Sequence, residues 1–141
     1  MRITALMAAA LALVANAAAQ TTLSNCAKDS SVFRLDAFAL NPSDPHPGDD
    51  VSLFTQYTVP PGMIVYGGTV EYKVTFNYIP IQTTPEPLCQ TIECPITPGA
   101  YTNATHMKWP TGVSGKVVTK VIWKGGDEET LMCLEVRTVL D

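Results

Sequence analysis

The residues that could perform acid–base, nucleophilic or metal chemistry are few, and they lie far apart in the sequence. His46 stands in a proline-rich turn and His106 in a polar strand, and neither has a second metal ligand at a regular spacing. Ser114 lies in Gly-Val-Ser-Gly, one residue short of the Gly-x-Ser-x-Gly elbow of hydrolases. The sequence therefore predicts no catalytic residue, no metal and no cofactor, and it predicts that the chain is not an enzyme.

The start of the chain has the pattern of an export signal. Arg2 precedes apolar residues at positions 3–15, and alanines at positions 17–19 fit a small-residue cleavage site before Gln20. The pattern predicts a signal peptide over residues 1–19 and a mature domain over residues 20–141. The alternative is a buried N-terminal helix. An exported chain would be secreted or lumenal, in an oxidising compartment.

In such a compartment the four cysteines are interpreted as two disulfide bonds, for which three pairings exist. Cys89 and Cys94 are close enough in sequence to close a small loop. That leaves Cys26, near the mature start, to pair with Cys133, near the end. A zinc site is the alternative, although the sequence lacks the paired Cys-x2-Cys spacing that such sites use.

The elements that must position these residues are β-strands, and the clearest one is predicted at residues 69–78. There Val70, Tyr72, Val74, Phe76 and Tyr78 alternate with polar residues, so one face is apolar and the other is hydrated. Similar patterns predict strands at residues 32–40, 51–59, 63–66, 100–108, 116–123 and 130–140, and no helix in the mature chain. Short strands separated by Pro and Gly indicate an all-β sandwich or barrel, and the hairpins favour an immunoglobulin-like sandwich.

Charge and aromatic content narrow the function classes. A net charge of −4 with no basic run argues against nucleic acid. Aromatic residues that could either fill a core or line a cavity lie in or beside the predicted strands: Tyr57, Tyr66, Tyr72, Phe76, Tyr78, Trp109 and Trp123. Asn103-Ala104-Thr105 is a glycosylation sequon, and Asn103 is its predicted site.

Five short segments follow the signal peptide in a characteristic order. They are Asn25-Cys26, PEPLC at residues 85–89, IECPI at 92–96, VIW at 121–123 and LMCLEV at 131–136. Together they resemble the MD-2-related lipid-recognition (ML) family. The likeness is greatest to the Niemann–Pick type C2 sterol carriers, with the fungal phosphatidylglycerol/phosphatidylinositol transfer proteins nearby. Those C2 proteins have a third disulfide after the first strand, whereas residues 41–50 here contain no cysteine.

The resemblance implies an immunoglobulin-like β-sandwich of two antiparallel sheets with a lipid cavity between them, and it implies the same two cysteine pairings. It puts Trp109 and Pro110 near the cavity entrance. It also puts these residues on the cavity face: Val117, Val121, Trp123, Leu134 and Val136. Alternation alone adds another set to that face: Leu53, Tyr57, Tyr72, Val74, Phe76 and Tyr78.

These features predict a secreted lipid-binding and transfer protein, which holds a sterol or related lipid between its sheets and moves it between membranes. The predicted partners are a sterol or phospholipid ligand and, transiently, a membrane. Nucleic acid is not among them, and a monomer is expected. The alternatives are phosphatidylglycerol/phosphatidylinositol transfer, lipid recognition for immune or environmental sensing without transfer, and a small secreted hydrolase.

Overall fold

The computed structural model describes residues 21–140, and the predicted signal peptide lies outside these residues. Its elements, in chain order, are β1 (Thr21–Asn25), β2 (Arg34–Asn41), β3 (Asp50–Val59), β4 (Gly68–Phe76), β5 (Ile79–Ile81), β6 (Glu86–Pro87), α1 (Leu88–Thr91), β7 (Gly99–Lys108), β8 (Gly115–Gly125) and β9 (Thr130–Leu140). The predicted all-β fold is confirmed. No helix within residues 21–140 is long and apolar enough to cross a membrane.

The larger of two antiparallel sheets has the strand order β1-β9-β8-β4-β5, and β6 pairs with the start of β4. In the β4–β8 pair, Val70 is opposite Trp123 and Phe76 is opposite Val117. Directly opposed residues of an antiparallel pair share one face of the sheet. The apolar residues predicted by alternation in β4 therefore face the same way as the apolar residues of β8, while Glu71 faces outward.

The smaller sheet has the order β2-β3-β7 and supplies the opposite layer. In β3 the alternation predicted at residues 51–59 is present, because Leu53 and Tyr57 are buried while Phe54 between them is exposed. Leu53 is opposite Thr105 of β7, and Tyr57 is opposite Tyr101. The buried face of the smaller sheet packs against the inner face of the larger sheet, which makes the two-layer sandwich that was predicted.

Three local predictions differ from the structure. β1 was missed because its sequence, TTLSN, has no long apolar alternation; it forms by pairing with β9 at the edge of the larger sheet. The prediction of no helix was wrong by one turn, α1, which begins at the fully buried Leu88 and continues into the 89–94 disulfide loop. The predicted strand at 63–66 is reduced to one bridge, between Val65 and Ile96.

Both predicted disulfides are present, and their positions explain how the chain passes between sheets. Cys89 and Cys94 close a small loop beside α1. Cys26 and Cys133 are joined with their Cα atoms 5.1 Å apart. Because Cys26 follows β1 and Cys133 belongs to β9, this bond lies within the larger sheet and does not join the two sheets directly. The bond fixes the start of the segment that crosses from β1 to β2. Phe33, the last residue of that segment, donates its N–H to the Leu131 carbonyl at 2.9 Å.

The interior divides into two core clusters at opposite ends of the sandwich. The first cluster contains Phe33, Tyr57, Val59, Val65, Val70, Leu88, Ile96, Trp123, Leu131 and Met132. The second cluster contains Leu40, Val51, Leu53, Trp109, Leu134, Val136 and Leu140. Tyr57 stacks on Phe33 and Tyr101 at centroid distances of 5.6 and 5.5 Å, and it meets Trp123 edge-on at 5.3 Å. These aromatic contacts join the sheets firmly at the end that we call the closed end.

Candidate functional site

An apolar cavity of about 150 Å³ lies between the sheets, away from the closed end. It is lined by Leu40, Leu53, Met107, Lys108, Trp109, Pro110, Val117, Thr119, Val121, Val136 and Thr138. The residues come from both layers, so the cavity is a gap between the sheets and not a groove on one of them. We call residues 108–110, at the end of β7, the mouth of the cavity.

Strand register explains why one wall of the cavity is smooth and aliphatic. Val121 is opposite Leu134, and Thr119 is opposite Val136, along the β8–β9 pair. These residues alternate with outward-facing charged residues such as Lys120, so the inner face carries small β-branched side chains. Small side chains leave room between the layers, whereas the aromatic residues of the closed end fill it.

The mouth is held in place by backbone hydrogen bonds to the turn before β3. The Trp109 N–H donates to the Asp49 carbonyl at 2.8 Å, and the Gly48 N–H donates to the Trp109 carbonyl at 3.1 Å. Gly48 has a φ of +84°, a conformation that favours glycine, and a Cβ there would lie 3.3 Å from the Thr111 methyl. The Trp109 indole is therefore fixed against the second core cluster, where only 5% of the residue is exposed.

Six of the residues predicted to face a ligand line the cavity: Leu53, Trp109, Pro110, Val117, Val121 and Val136. Leu134 is buried in the second core cluster beside it. Tyr57 and Trp123 lie in the first core cluster, and the half-buried Tyr72 packs against that cluster. Tyr57, Tyr72 and Trp123 therefore belong to the closed end, and the cavity does not reach them.

Tyr78 is a correction to the alternation pattern. β4 ends at Phe76, and Asn77 and Tyr78 both adopt positive φ values in the turn to β5. The turn directs Tyr78 out of the sandwich, where 80% of the residue is exposed and its ring lies 5.2 Å from the Lys116 ammonium. The alternation of apolar and polar residues continues in the sequence to Tyr78, whereas strand β4 ends at Phe76.

Val74 and Phe76 are half-buried on the inner face of β4, and neither joins a core cluster of the described residues. The reason is a difference in sheet width. The five-strand path of the larger sheet spans about 19 Å, whereas three strands span about 10 Å. We call Val74 and Phe76 the β4 strip; they lie directly beside the cavity residues Thr119 and Val117.

Sequence patterns missed Leu40, Met107, Lys108, Thr119 and Thr138 as cavity residues. Thr119 and Thr138 carried the needed signal, because they have the same parity as Val117, Val121 and Val136 in their strands. Their polarity argued against an inward position. The Thr138 hydroxyl hydrogen-bonds the Thr21 hydroxyl at 2.8 Å, which is how that polar group is accommodated in the interior. The other missed residues required knowledge of how the sheets overlap.

Burial changes the titration of two tyrosines near the interior. Desolvation, with a smaller contribution from Tyr101, raises the pKa of Tyr57 to about 12. Desolvation also raises the pKa of Tyr72, and Glu86 adds to this effect. Both phenols are therefore neutral at physiological pH, and the aromatic packing of the closed end carries no charge.

The residues first considered for chemistry do not gather around the cavity. His106 Nδ1 is 2.9 Å from the Ser52 hydroxyl on the outer face of the smaller sheet. Within residues 21–140, no group of three or more His, Cys, Asp and Glu side chains could hold a metal ion. Asn103 is half-buried on the inner face of β7, opposite Thr55, with its amide nitrogen 3.5 Å from the Thr105 hydroxyl. Its glycosylation stays a prediction.

One family model and one curated protein match most of this chain. A family model described as the ML domain, E1_DerP2_DerF2, matches residues 20–140. The chain is 27% identical over 117 residues to a Dictyostelium discoideum protein provisionally named a phosphatidylglycerol/phosphatidylinositol transfer protein, covering 80% of this chain and 82% of that one.

Two solved structures share the fold. The crystal structure of a Niemann-Pick type C2 protein from Japanese carpenter ant superposes with a TM-score of 0.62 at 12% identity, covering 85% of this chain and 99% of that one. The crystal structure of chicken MD-1 complexed with lipid IVa gives a TM-score of 0.57 at 11% identity, covering 85% of this chain and 88% of that one.

Proposed function

We propose, because this chain belongs to the ML domain family, that it is a lipid carrier which holds one lipid between its two sheets and moves it between membranes. The family resemblance predicted from the sequence is confirmed by the match over residues 20–140. The ligand class that we propose is a sterol or a glycerophospholipid. The name of the Dictyostelium discoideum relative favours the phospholipid within that class.

The observation that carries this proposal is the inter-sheet cavity. Close-packed interiors leave few voids larger than a water molecule, and a void is destabilising. At about 24 cal/mol per Å³, a cavity of about 150 Å³ costs on the order of 4 kcal/mol when it is empty. A hydrocarbon guest would remove that cost and would itself gain from leaving water. Lipid binding thus offers a reason for a cavity that stability alone would disfavour.

The cavity must enlarge to hold a whole lipid, because ligand pockets are typically about 300–1,000 Å³. The β4 strip supplies the additional surface. A guest that extends from Thr119 and Val117 across the larger sheet would next contact Val74 and Phe76, which the smaller sheet leaves half-exposed. Enlargement would move the edge strand β7 outward, while the aromatic contacts of the closed end hold the sheets together.

The surroundings of the mouth support a transient membrane contact. The turn at residues 77–78 and the loop at residues 111–114 lie next to each other there, and the Asn77 N–H donates a hydrogen bond to the carbonyl of Lys116, at the start of β8, at 2.8 Å. Tyr78 in the turn, Ile79 at the start of β5 and Val113 in the loop are exposed apolar side chains. Aromatic and aliphatic groups next to a lysine suit the boundary between lipid headgroups and acyl chains. The mouth would thus face the membrane when a lipid enters or leaves.

The proposed location is extracellular or lumenal. The predicted signal peptide and the two disulfide bonds both suit an oxidising compartment. Transfer there needs no bond to be made or broken, so the proposed activity is extraction, shielding and delivery of a lipid, without catalysis.

A pair of substitutions on β4 tests this function. Phe76→Asp puts a carboxylate on the β4 strip, where burying its charge beneath a hydrocarbon is strongly unfavourable. We expect at least a tenfold loss in transfer of fluorescent phosphatidylglycerol or dehydroergosterol from donor to acceptor vesicles. Glu71→Ala removes a charge from the outer face of the same strand and its 3.3 Å ion pair with Lys124. We expect it to transfer lipid as the wild type does.

The outcomes of this experiment separate the proposed function from its alternatives. Equal transfer by both variants, or loss only in Glu71→Ala, would contradict the assignment of the inner face. Lipid binding by the wild type without transfer would indicate a recognition protein. Release of fatty acid from the vesicles would indicate a hydrolase.

A further inference from the structure

The indole N–H of Trp109 is a buried hydrogen-bond donor without a partner among residues 21–140. The Trp109 ring lines the cavity and 5% of the residue is exposed. Its Nε1 is buried, and among residues 21–140 no atom accepts a hydrogen bond from it. Buried indole N–H groups usually have a partner, because an unpaired buried donor loses its hydration without compensation.

Three polar side chains line the cavity, those of Lys108, Thr119 and Thr138, and none of them accepts a hydrogen bond from Nε1. The Thr138 hydroxyl is instead paired with the Thr21 hydroxyl at 2.8 Å. The Lys108 ammonium points to Asp50, with 3.0 Å between Nζ and Oδ1, and is itself only a donor. A bound ligand can supply the acceptor that Nε1 lacks among residues 21–140.

Trp109 is also too well anchored to find an acceptor by turning outward. Its N–H and its carbonyl are both hydrogen-bonded to the turn at Gly48 and Asp49. Its ring packs in the second core cluster beside Leu53 and Val136. A donor held in a fixed position loses little entropy when it forms a hydrogen bond, so it is well prepared to select a ligand.

We propose that the Trp109 Nε1–H donates a hydrogen bond to an oxygen at the polar end of the bound lipid. This inference rests on the proposed function and adds a requirement to it: the ligand must carry an acceptor oxygen where its hydrocarbon body meets the mouth. An ester carbonyl of a glycerophospholipid and the hydroxyl of a sterol both meet this requirement. A lipid with the same hydrocarbon body and no such oxygen does not.

Matched lipids test the requirement. Dioleoyl phosphatidylglycerol, with two ester carbonyls, is compared with dioleyl-ether phosphatidylglycerol, which has none; cholesterol is compared with cholest-5-ene, which lacks only the hydroxyl. We expect the wild type to bind the member with the ester carbonyls, or the member with the hydroxyl, about twofold to tenfold more tightly, the range for one hydrogen bond. The pair that shows the preference identifies which source of the oxygen the cavity uses.

Two substitutions test whether the preference for one lipid of a pair depends on the Trp109 N–H. Trp109→Phe removes the N–H, and replacement by 2-naphthylalanine removes it while keeping a bicyclic ring, which protects the packing if phenylalanine does not. In either folded variant the members of each pair should bind equally. A preference that persists in the naphthylalanine variant would overturn the proposal, and so would a wild type that binds both members of both pairs equally well. Failure of the wild type to bind any lipid would instead overturn the proposed function.

The indole N–H can also be observed directly by NMR. Trp109 and Trp123 each give one indole cross-peak in a proton–nitrogen spectrum. On addition of the preferred lipid, the Trp109 peak should move downfield, as a new hydrogen bond requires. The Trp123 peak should move little, because that ring packs on Tyr57 in the closed end. A Trp109 peak that does not move on saturation with lipid would contradict the proposed bond.

Discussion

Tyr57 is the single residue on which the closed end most depends, because it contacts aromatic rings in both layers. It stacks between Phe33 and Tyr101 and meets Trp123 of the larger sheet edge-on. Such pairs stabilise beyond the area they bury, by about 0.5–1.5 kcal/mol each. In the proposed carrier, this cluster would be the fixed end of the sandwich while the other end admits the lipid.

The raised pKa of Tyr57 predicts how stability changes in alkali. The phenol titrates near 10 when unfolded and at about 12 when folded, so between these values the unfolded chain releases a proton that the folded chain keeps. The free energy of unfolding should fall by about 1–2 kcal/mol as the pH rises from 10 to 12. Tyr57→Phe has no phenol and should show a smaller fall.

Urea unfolding of both proteins at several pH values checks this prediction. The decisive quantity is the difference between the two pH slopes, since other groups also titrate in alkali. Identical slopes for wild type and Tyr57→Phe would mean that the Tyr57 phenol is not buried when the protein is folded.

At the scale of elements, the cavity wall and the closed end should respond in opposite ways to the same added volume. Val121→Phe places a larger side chain in the cavity, so it should leave the free energy of unfolding unchanged or higher while lowering lipid affinity at least tenfold. Val70→Phe adds the same volume to the filled first core cluster and should destabilise by about 1–3 kcal/mol. Denaturant unfolding and vesicle binding measure the two effects.

Comparing Val121→Phe with Val70→Phe could also contradict the presence of a gap between the layers. The two valines lie on adjacent strands and face the same way, so they differ chiefly in whether space is available. If Val121→Phe destabilised the protein as much as Val70→Phe does, the gap between the layers would not exist in solution.

The two disulfides should contribute unequally to stability. Cys26 and Cys133 are separated by 107 residues, and Cys89 and Cys94 by 5. On the chain-entropy relation, removing the long bridge by a double Cys→Ser substitution should cost about 5 kcal/mol and removing the short one about 2 kcal/mol. Guanidinium unfolding of the two double variants tests this order. A larger loss from the short bridge would show that local packing around α1 outweighs loop entropy.

Strand positions were readable from the sequence wherever one face of a strand is buried, as in β3, where Leu53 and Tyr57 alternate with exposed residues. β1 was not readable, because it is an edge strand that depends on pairing with β9. Six cavity residues were predicted by combining alternation with family resemblance. Tyr78 was mispredicted because a turn that needs positive φ ended the strand, and Thr119 was missed because polar residues are not expected on an inner face.

For the whole molecule, the controlling feature is the unequal width of the two sheets. The smaller sheet cannot cover the larger one completely, so the β4 strip stays half-exposed beside an incompletely filled interior. Aromatic packing closes one end, and small β-branched side chains leave the other end open near Trp109. A sandwich with this asymmetry can admit a hydrocarbon without losing its fold, which is the physical basis of the proposed carrier function.

Native mass spectrometry of the wild-type protein after incubation with phosphatidylglycerol or cholesterol vesicles tests this claim most directly. We expect a complex with one lipid per chain, which is lost in Val121→Phe although that variant is folded. A wild type observed only as the free chain with every lipid, or a Val121→Phe variant that retains the lipid as well as the wild type does, would contradict binding between the sheets.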